Sequence, residues 1–359
     1  MKIGLIGTNR SGKTTLLSLL SGLSYEISVA AQLGGKIRNV FIKIPEPRLD
    51  TLANEFGRDK NLIPPSVELL DTNPIGLDQV TRLKNSEVLS VLREMDGLII
   101  IIRAYEDEGG DFAPSIESID KQASDIRSEL FFADLEIVEK RIDKLASQLT
   151  KSLPTHEADK KELEILQQMK EALHKNQSLQ SLKLDAEGSK LLKGFGLLIQ
   201  KPLVFVFNIA EIDINTNRLF PLLQKYSPGF VSCLKLELEL SNLSPEERGN
   251  FLAEYGLNNL VAAGLIKACY ETVGLITFFT IGKDEIRGWS LRHGENAVTA
   301  AGKVHTDIAR GFISAEVLSF SDWLGSGSFK NAREHGKVRL EGKNYLVHDG
   351  DIIHFKFNI

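Results

Sequence analysis

The chain has 359 residues, 42% hydrophobic and 25% charged, an ordinary globular composition too long for one compact core, so two or three domains are expected. Its two cysteines, Cys233 and Cys269, exclude a disulfide framework and favour a reducing compartment. The net charge of −5 argues against a strongly basic polyanion binder or a reader of DNA sequence, and residues from Ile276 onward are near neutral, with 11 Lys and Arg against 10 Asp and Glu.

The chain opens on the apolar run Lys2–Ile6, read as a buried strand with no basic-then-apolar leader before it. No later apolar run approaches the length of a membrane span, so a cytoplasmic protein without a membrane partner is expected. Directly behind the strand comes Gly7-Thr-Asn-Arg-Ser-Gly12-Lys13-Thr14, the full G-x4-G-K-[ST] spacing, and Thr15–Ser21 then reads as a helix ending at Gly22. Successive N–H groups of such a loop form an anion-binding nest at the positive end of a helix. Asn9, Arg10, Ser11, Gly12, Lys13, Thr14 and Thr15 are therefore expected to hold the phosphates of a nucleotide. Lys13 would stabilise the β- and γ-phosphates, and the Thr14 hydroxyl would take one position on Mg2+.

Three further apolar runs each end in a polar residue: Val67–Leu70 before Asp71, Gly97–Ile102 before Arg103, and Pro202–Phe207 before Asn208. That is the pattern of a parallel sheet whose ligands gather at the carboxyl ends of its strands. Between them, Leu135, Val138, Ile142, Leu145 and Leu149 form one helical seam and Leu163, Leu166, Met169 and Leu173 a second, on either side of a Pro-containing turn at 152–156. This spacing predicts an antiparallel helical hairpin over 134–192. Ser244-Pro-Glu-Glu247 is a capping box opening a helix to about Tyr255, and another helix is expected over Asn259–Thr272. The tail changes to short strand-like pieces, Ile276–Thr280, Gly311–Val317 and Tyr345–Val347, with a hairpin expected to deliver the final strand within 349–359.

The expected fold class is thus α/β: a mostly parallel nucleotide-binding sheet at 1–133 and 193–275, the inserted hairpin at 134–192, and a small α+β module at 276–359. Several blocks sharpen this: Ile44-Pro-Glu-Pro-Arg-Leu-Asp50, Phe132–Arg141, Gly274–Phe279, Ala300–Asp307, Gly311–Glu316 and Asp349–Phe355. In these the chain resembles, nearly end to end, the YchF or Obg-like ATPases, P-loop NTPases of the translation-factor class. The resemblance implies a G domain, a coiled-coil insertion, a carboxyl-terminal TGS module of β-grasp type, weak ATP hydrolysis, and association with the ribosome, its RNA or its proteins. It also implies that Asn208-Ile209-Ala-Glu211 stands where GTPases carry N-K-x-D, and that Ser232-Cys233 lies in the last base-contacting loop. A carboxylate in that place gains nothing from adenine, which presents an acceptor at N1, so losing the Lys and lengthening the acid favours ATP over GTP.

Four departures from the family pattern bear on turnover. No threonine lies between Thr15 and Thr51, so the stretch Ser28–Gly35 lacks the switch I Thr. Switch II reads Asp71-Thr-Asn-Pro74, and proline has no N–H to offer a γ-phosphate, although Gly76 stands two residues on and Asp71 keeps its place beside Mg2+. Arg10 replaces the Asn of potassium-dependent members, as a built-in cation that puts potassium dependence in doubt. The loop Glu106–Pro114 lacks the family's His. Two functions follow as expectations: an attenuated ATPase, or a nucleotide-binding adaptor that does not hydrolyse. A GTPase is disfavoured.

Overall fold

The computed structural model describes residues 1–22, 38–77, 85–106, 114–149, 156–175, 177, 179, 182, 184–257 and 259–358. The Ser28–Gly35 stretch, most of the loop at 106–114 and the turn at 150–155 lie outside the described residues. The strands are β1 (Lys2–Gly7), β2 (Arg38–Lys43), β3 (Asn61–Ile63), β4 (Ser66–Asp71), β5 (Gly97–Ala104), β6 (Leu203–Ile209), β7 (Gly229–Ser232), β8 (Leu275–Ile281), β9 (Glu285–Arg292), β10 (Phe312–Ser319), β11 (Arg339–Glu341) and β12 (Asp351–Phe357). They belong to two compact units: the first holds Met1–Leu19 and Leu70–Asn259, the second Leu20–Gly22, Asn39–Leu69 and the chain from Leu260 on.

In the first unit β1, β5, β6 and β7 run parallel in that order, with the carboxyl end of β4, Leu70 and Asp71, alongside β1. The continuous apolar run in β5 has its reason in burial: Leu98 to Ile102 are all at most 1% exposed, so both faces of this central strand are covered. Register then aligns the strand ends. Arg103 pairs with Asn208, Asn208 with Ser232, and Gly7 with Ile101, which draws the polar residues at the carboxyl ends to one edge.

The hairpin expected from 134 begins earlier. A single helix, Ile116–Leu149, spans 34 residues, about 50 Å at 1.5 Å per residue. Its first half buries Ile119, Ala123, Ile126 and Leu130, and Tyr226 Oη donates to Asp120 Oδ1 at 2.6 Å. Its second half packs Val138 and Leu145 against Leu166, Met169 and Leu173 of the helix His156–His174. The ion pairs Arg141–Glu162 and Lys170–Glu139 fix the two helices antiparallel. The junction is Asp134, fully buried, whose Oδ1 accepts from Arg93 Nη1 at 2.5 Å and whose Oδ2 accepts from Ile199 N at 2.8 Å.

The second unit carries a sheet ordered β11-β10-β12-β8-β9-β3. Alternate residues of its strands enter two different cores. Phe278, Val317 and Ile353 pack with Ala297, Ala300 and Ala301 of the helix Ala297–Val304. Phe279, Leu318 and Ile352 pack instead with Leu49, Leu52, Ala53 and Trp323. Residues 39–69, expected in the nucleotide-binding domain, therefore divide differently: the helix Arg48–Phe56 covers this sheet and β3 extends it, parallel to β9. Arg48 locks the helix in place, bonded to Glu46 and to Asp349, with its guanidinium 5.1 Å from the Phe279 ring centroid. The helix Val261–Thr272 likewise belongs to this unit.

The expected terminal hairpin is replaced by a different pairing. β11 and β12 flank β10 on opposite sides, both antiparallel to it, and β12 runs parallel to β8. Tyr345–Val347 is not a strand: Leu346 makes one isolated bridge to Asn296, and Val347 turns inward to the core. Ser244 and Glu247 form the reciprocal capping box read from sequence.

Because both Asp134 oxygens are satisfied in a fully buried place, removing the carboxylate leaves a cation and an amide without their partner. Asp134→Ala is expected to lower the unfolding free energy in urea by about 3–5 kcal/mol.

Candidate phosphate and base site

The loop after β1 is shaped by two left-handed residues, Arg10 (φ 57°) and Gly12 (φ 105°). A Cβ on Gly12 would stand 2.4 Å from Asn208 Nδ2, and one on Gly7 would stand 2.3 Å from Ser11 Oγ, so both glycines are required by space. Ser11 N donates to Thr8 O at 3.3 Å, closing the turn, and Leu16 N donates to Gly12 O at 2.9 Å, starting the helix Lys13–Ser21. Helix geometry leaves the N–H groups of its first turn without intrahelical acceptors, the arrangement by which helix N-termini bind anions. Ser11, 1% exposed, has a hydroxyl that makes no hydrogen bond among the described residues.

Lys13 lies 5% exposed at the base of this loop, its Nζ donating to Gly7 O at 3.0 Å and Thr8 O at 3.2 Å. Burial pushes its pKa down from 10.5 to about 8, opposed in part by the negative charge of the buried Asp71. The loop thus holds a cation at a cost in desolvation, which a polyphosphate would relieve. Thr14 and Asp71 provide a hydroxyl and a carboxylate, hard oxygen donors of the kind Mg2+ takes.

Asn208 ties the loop to a neighbouring helix. Its Nδ2 donates to Ser11 O at 3.0 Å and its Oδ1 accepts from Leu234 N at 3.1 Å, with the side chain buried. It braces the phosphate loop against the start of the helix Leu234–Ser241, using one hydrogen of its amide nitrogen and one lone pair of its oxygen. Ile209 is buried at the end of β6. Ser232 Oγ donates to Glu237 Oε1 at 2.6 Å, and burial holds the Cys233 thiol above its ordinary pKa. Glu211 is exposed and opens a short 3-10 turn, and the Tyr255 hydroxyl donates to its Oε1.

The segment after β4 is tied down. Thr72 Oγ1 donates to Leu5 O at 2.6 Å and Ile75 N to Gly7 O at 3.1 Å. Gly76, the candidate replacement for the switch II glycine, gives its N–H to Asn85 Oδ1 and accepts from Asn85 Nδ2, both at 3.0 Å. In this arrangement Pro74 has no N–H, and those of Ile75 and Gly76 are spent inside the protein.

Three residues of the site escaped the sequence reading: Asn85, Tyr105 and Tyr255. Tyr105 alone had a usable signal, standing directly after β5 where strand ends gather. Its hydroxyl donates to Arg10 O at 2.6 Å. Among the described residues no group of three or more His, Cys, Asp or Glu side chains is arranged to hold a metal ion, and no helix is long and apolar enough to cross a membrane.

Comparison with known proteins places this geometry. Curated proteins named Ribosome-binding ATPase YchF match end to end: the one from Bacillus subtilis is 34% identical over 99% of both chains, and the one from Mycoplasma genitalium is 32% identical over all of both. The chain belongs to the YchF family. The family model for the carboxyl-terminal part of YchF GTPases, described as "Protein of unknown function (DUF933)", matches residues 275–358. The solved structure of the Schizosaccharomyces pombe YchF GTPase shares the fold, with a TM-score of 0.81 over 99% of this chain and 97% of that one at 24% identity. This YchF family member is an α/β protein, with one sheet leading into the loop after β1 and a second built mainly by the carboxyl-terminal residues.

Two outcomes test the site. Gly12→Ala should abolish polyphosphate binding, since the new methyl both strains φ and displaces the Asn208 brace. Polyphosphate contact favours protonated Lys13, so affinity should be flat below pH 8 and fall as pH rises above it, by up to about tenfold per pH unit. Calorimetric titration at pH 8.5 in buffers of different ionisation heat should show proton uptake, lost in Lys13→Ala.

Proposed function

We propose that this chain binds Mg-ATP in the loop Gly7–Thr14 and acts as a ribosome-associated NTPase with attenuated hydrolysis. The observation that carries the reading is the buried, desolvated Lys13 inside a loop bent at Arg10 and Gly12 and braced by Asn208. Thr14 would bind Mg2+ directly and Asp71 through water, and the ion would supply charge neutralisation at the β- and γ-phosphates. Arg10 would place a fixed cation where related enzymes use potassium.

The bacterial relatives are named ATPases and the S. pombe structure a GTPase, so base choice rests on this chain's own residues. Glu211 is longer than the Asp of N-K-x-D, follows no Lys, and has one oxygen already occupied by the Tyr255 hydroxyl. It is therefore poorly placed to accept from guanine N1–H and N2–H, and the loss of guanine preference favours ATP. Partner binding would use the hairpin built on Ile116–Leu149 and His156–His174, the family's coiled-coil insertion, together with the carboxyl-terminal sheet and its packed helix, which suit a β-grasp TGS module.

Slow turnover, or none, is favoured by Pro74 and by the Asn85 clamp on Gly76. Each missing contact to developing phosphate charge costs on the order of 3 kcal/mol in the barrier, about two decades of rate. Such losses leave binding largely intact, which is the basis of the adaptor reading.

The deciding experiment titrates the protein with ATP, GTP and a non-hydrolysable ATP analogue, then follows single-turnover hydrolysis. Turnover that disappears in Lys13→Ala identifies the attenuated ATPase; binding without turnover identifies the adaptor. Equal affinity for GTP and ATP would overturn the base assignment. Tyr255→Phe should narrow the ATP preference several-fold by releasing the carboxylate, and an unchanged ratio in both Tyr255→Phe and Glu211→Ala would place Glu211 outside the base site. Ribosome association should appear in co-sedimentation and weaken with salt. Absence of co-sedimentation at low salt, with or without ATP, removes the ribosome from the proposal.

A further inference from the structure

Among the described residues Arg10 is the only non-glycine with positive φ. A left-handed backbone is unfavourable for a residue with a Cβ, and it persists only where neighbours over-determine it. The neighbour here is Tyr105, whose hydroxyl donates to Arg10 O at 2.6 Å. A trans peptide holds its C=O and N–H antiparallel. With the Arg10 carbonyl drawn outward to Tyr105, the Ser11 N–H is turned the other way, onto Thr8 O. The turn Thr8–Ser11 is therefore held from both ends, and it is the Thr8 carbonyl of this turn that Lys13 Nζ contacts.

Tyr105 is itself held. The Arg103 guanidinium lies 5.5 Å from its ring centroid, and Arg103 Nε donates to Tyr105 O at 3.2 Å. The Arg103 N–H in turn donates to Gln122 Oε1 at 2.8 Å, on the long helix. The hydroxyl is thus anchored to the sheet and the helix Ile116–Leu149.

We infer that Tyr105 is a positioning residue for nucleotide binding: its hydroxyl fixes the Arg10–Ser11 peptide and so keeps the phosphate loop in its binding shape. This rests on the reading of the loop as a nucleotide site. The mechanism makes a specific demand. Tyr105 matters because residue 10 is not glycine, for glycine adopts the same φ at no steric cost.

The test is a double-mutant cycle read by ATP affinity on the full chain: wild type, Tyr105→Phe, Arg10→Gly and the double variant. Phe keeps the ring and its packing against Arg103. Tyr105→Phe should weaken ATP binding about fivefold, the worth of one hydrogen bond. In the Arg10→Gly background the same substitution should change affinity by less than about twofold. A Tyr105→Phe effect of equal size in both backgrounds would mean that the hydroxyl touches the nucleotide or supports the fold generally, and overturns the inference alone. No effect in the wild-type background also overturns it. Failure of the wild-type protein to bind ATP or GTP overturns the nucleotide reading, and this inference with it.

Discussion

The carbonyl oxygen of Gly7 is the point on which the site depends. It accepts from Lys13 Nζ and from the backbone N–H of Ile75, so one atom at the end of β1 joins the phosphate-binding cation to the segment that follows β4. A carbonyl has two lone pairs, and both are used by groups that an anion would otherwise attract. Lys13 is already bonded to main-chain oxygens, and a polyphosphate must compete with them for it. That competition is favourable because the lysine is buried and poorly solvated, and a neighbouring carboxylate restores only part of what burial removes.

The same economy of donors separates holding a nucleotide from cleaving it. Binding draws on the backbone of the loop and on Lys13, held in shape by Asn208 and Tyr105. Cleavage in this class depends on N–H groups and side chains brought from elsewhere in the chain. Here one such position is proline, and the next two N–H groups are committed to Gly7 and Asn85. On the proposed reading, the grip on phosphate lies in the loop and its braces, while few N–H groups after β4 are left to meet a γ-phosphate.

What the sequence made legible was local. The phosphate loop, the buried strands β1, β5 and β6 and the Ser244 cap were readable because each is specified by neighbouring residues. The run Leu98–Ile102 names a central strand by itself. The failures were matters of address. The apolar stripe of Leu49, Leu52 and Ala53 shows an amphipathic helix but cannot show which sheet it covers, and it covers the one formed by the last third of the chain. Ile119, Ala123, Ile126 and Leu130 continue the periodicity of the hairpin upstream, so one helix serves two different cores. Asn208 stood out by its motif, but its bond to the carbonyl of Ser11, 197 residues away, could not be read from the sequence.

Because Arg48–Phe56 and β3 complete the carboxyl-terminal sheet, that unit is discontinuous along the chain. Residues 275–358, which family comparison delimits as a module, are not a complete folding body. Cut free at that boundary, the sheet would lose the side chains that cover Phe279, Ile286, Leu318 and Ile352, and Asp349 would lose its arginine. The chain leaves the loop after β1, builds part of the second unit's sheet, and returns to the first unit before β5 is made. A segment lent in this way makes the sequence boundary between modules a poor guide to where the protein can be divided.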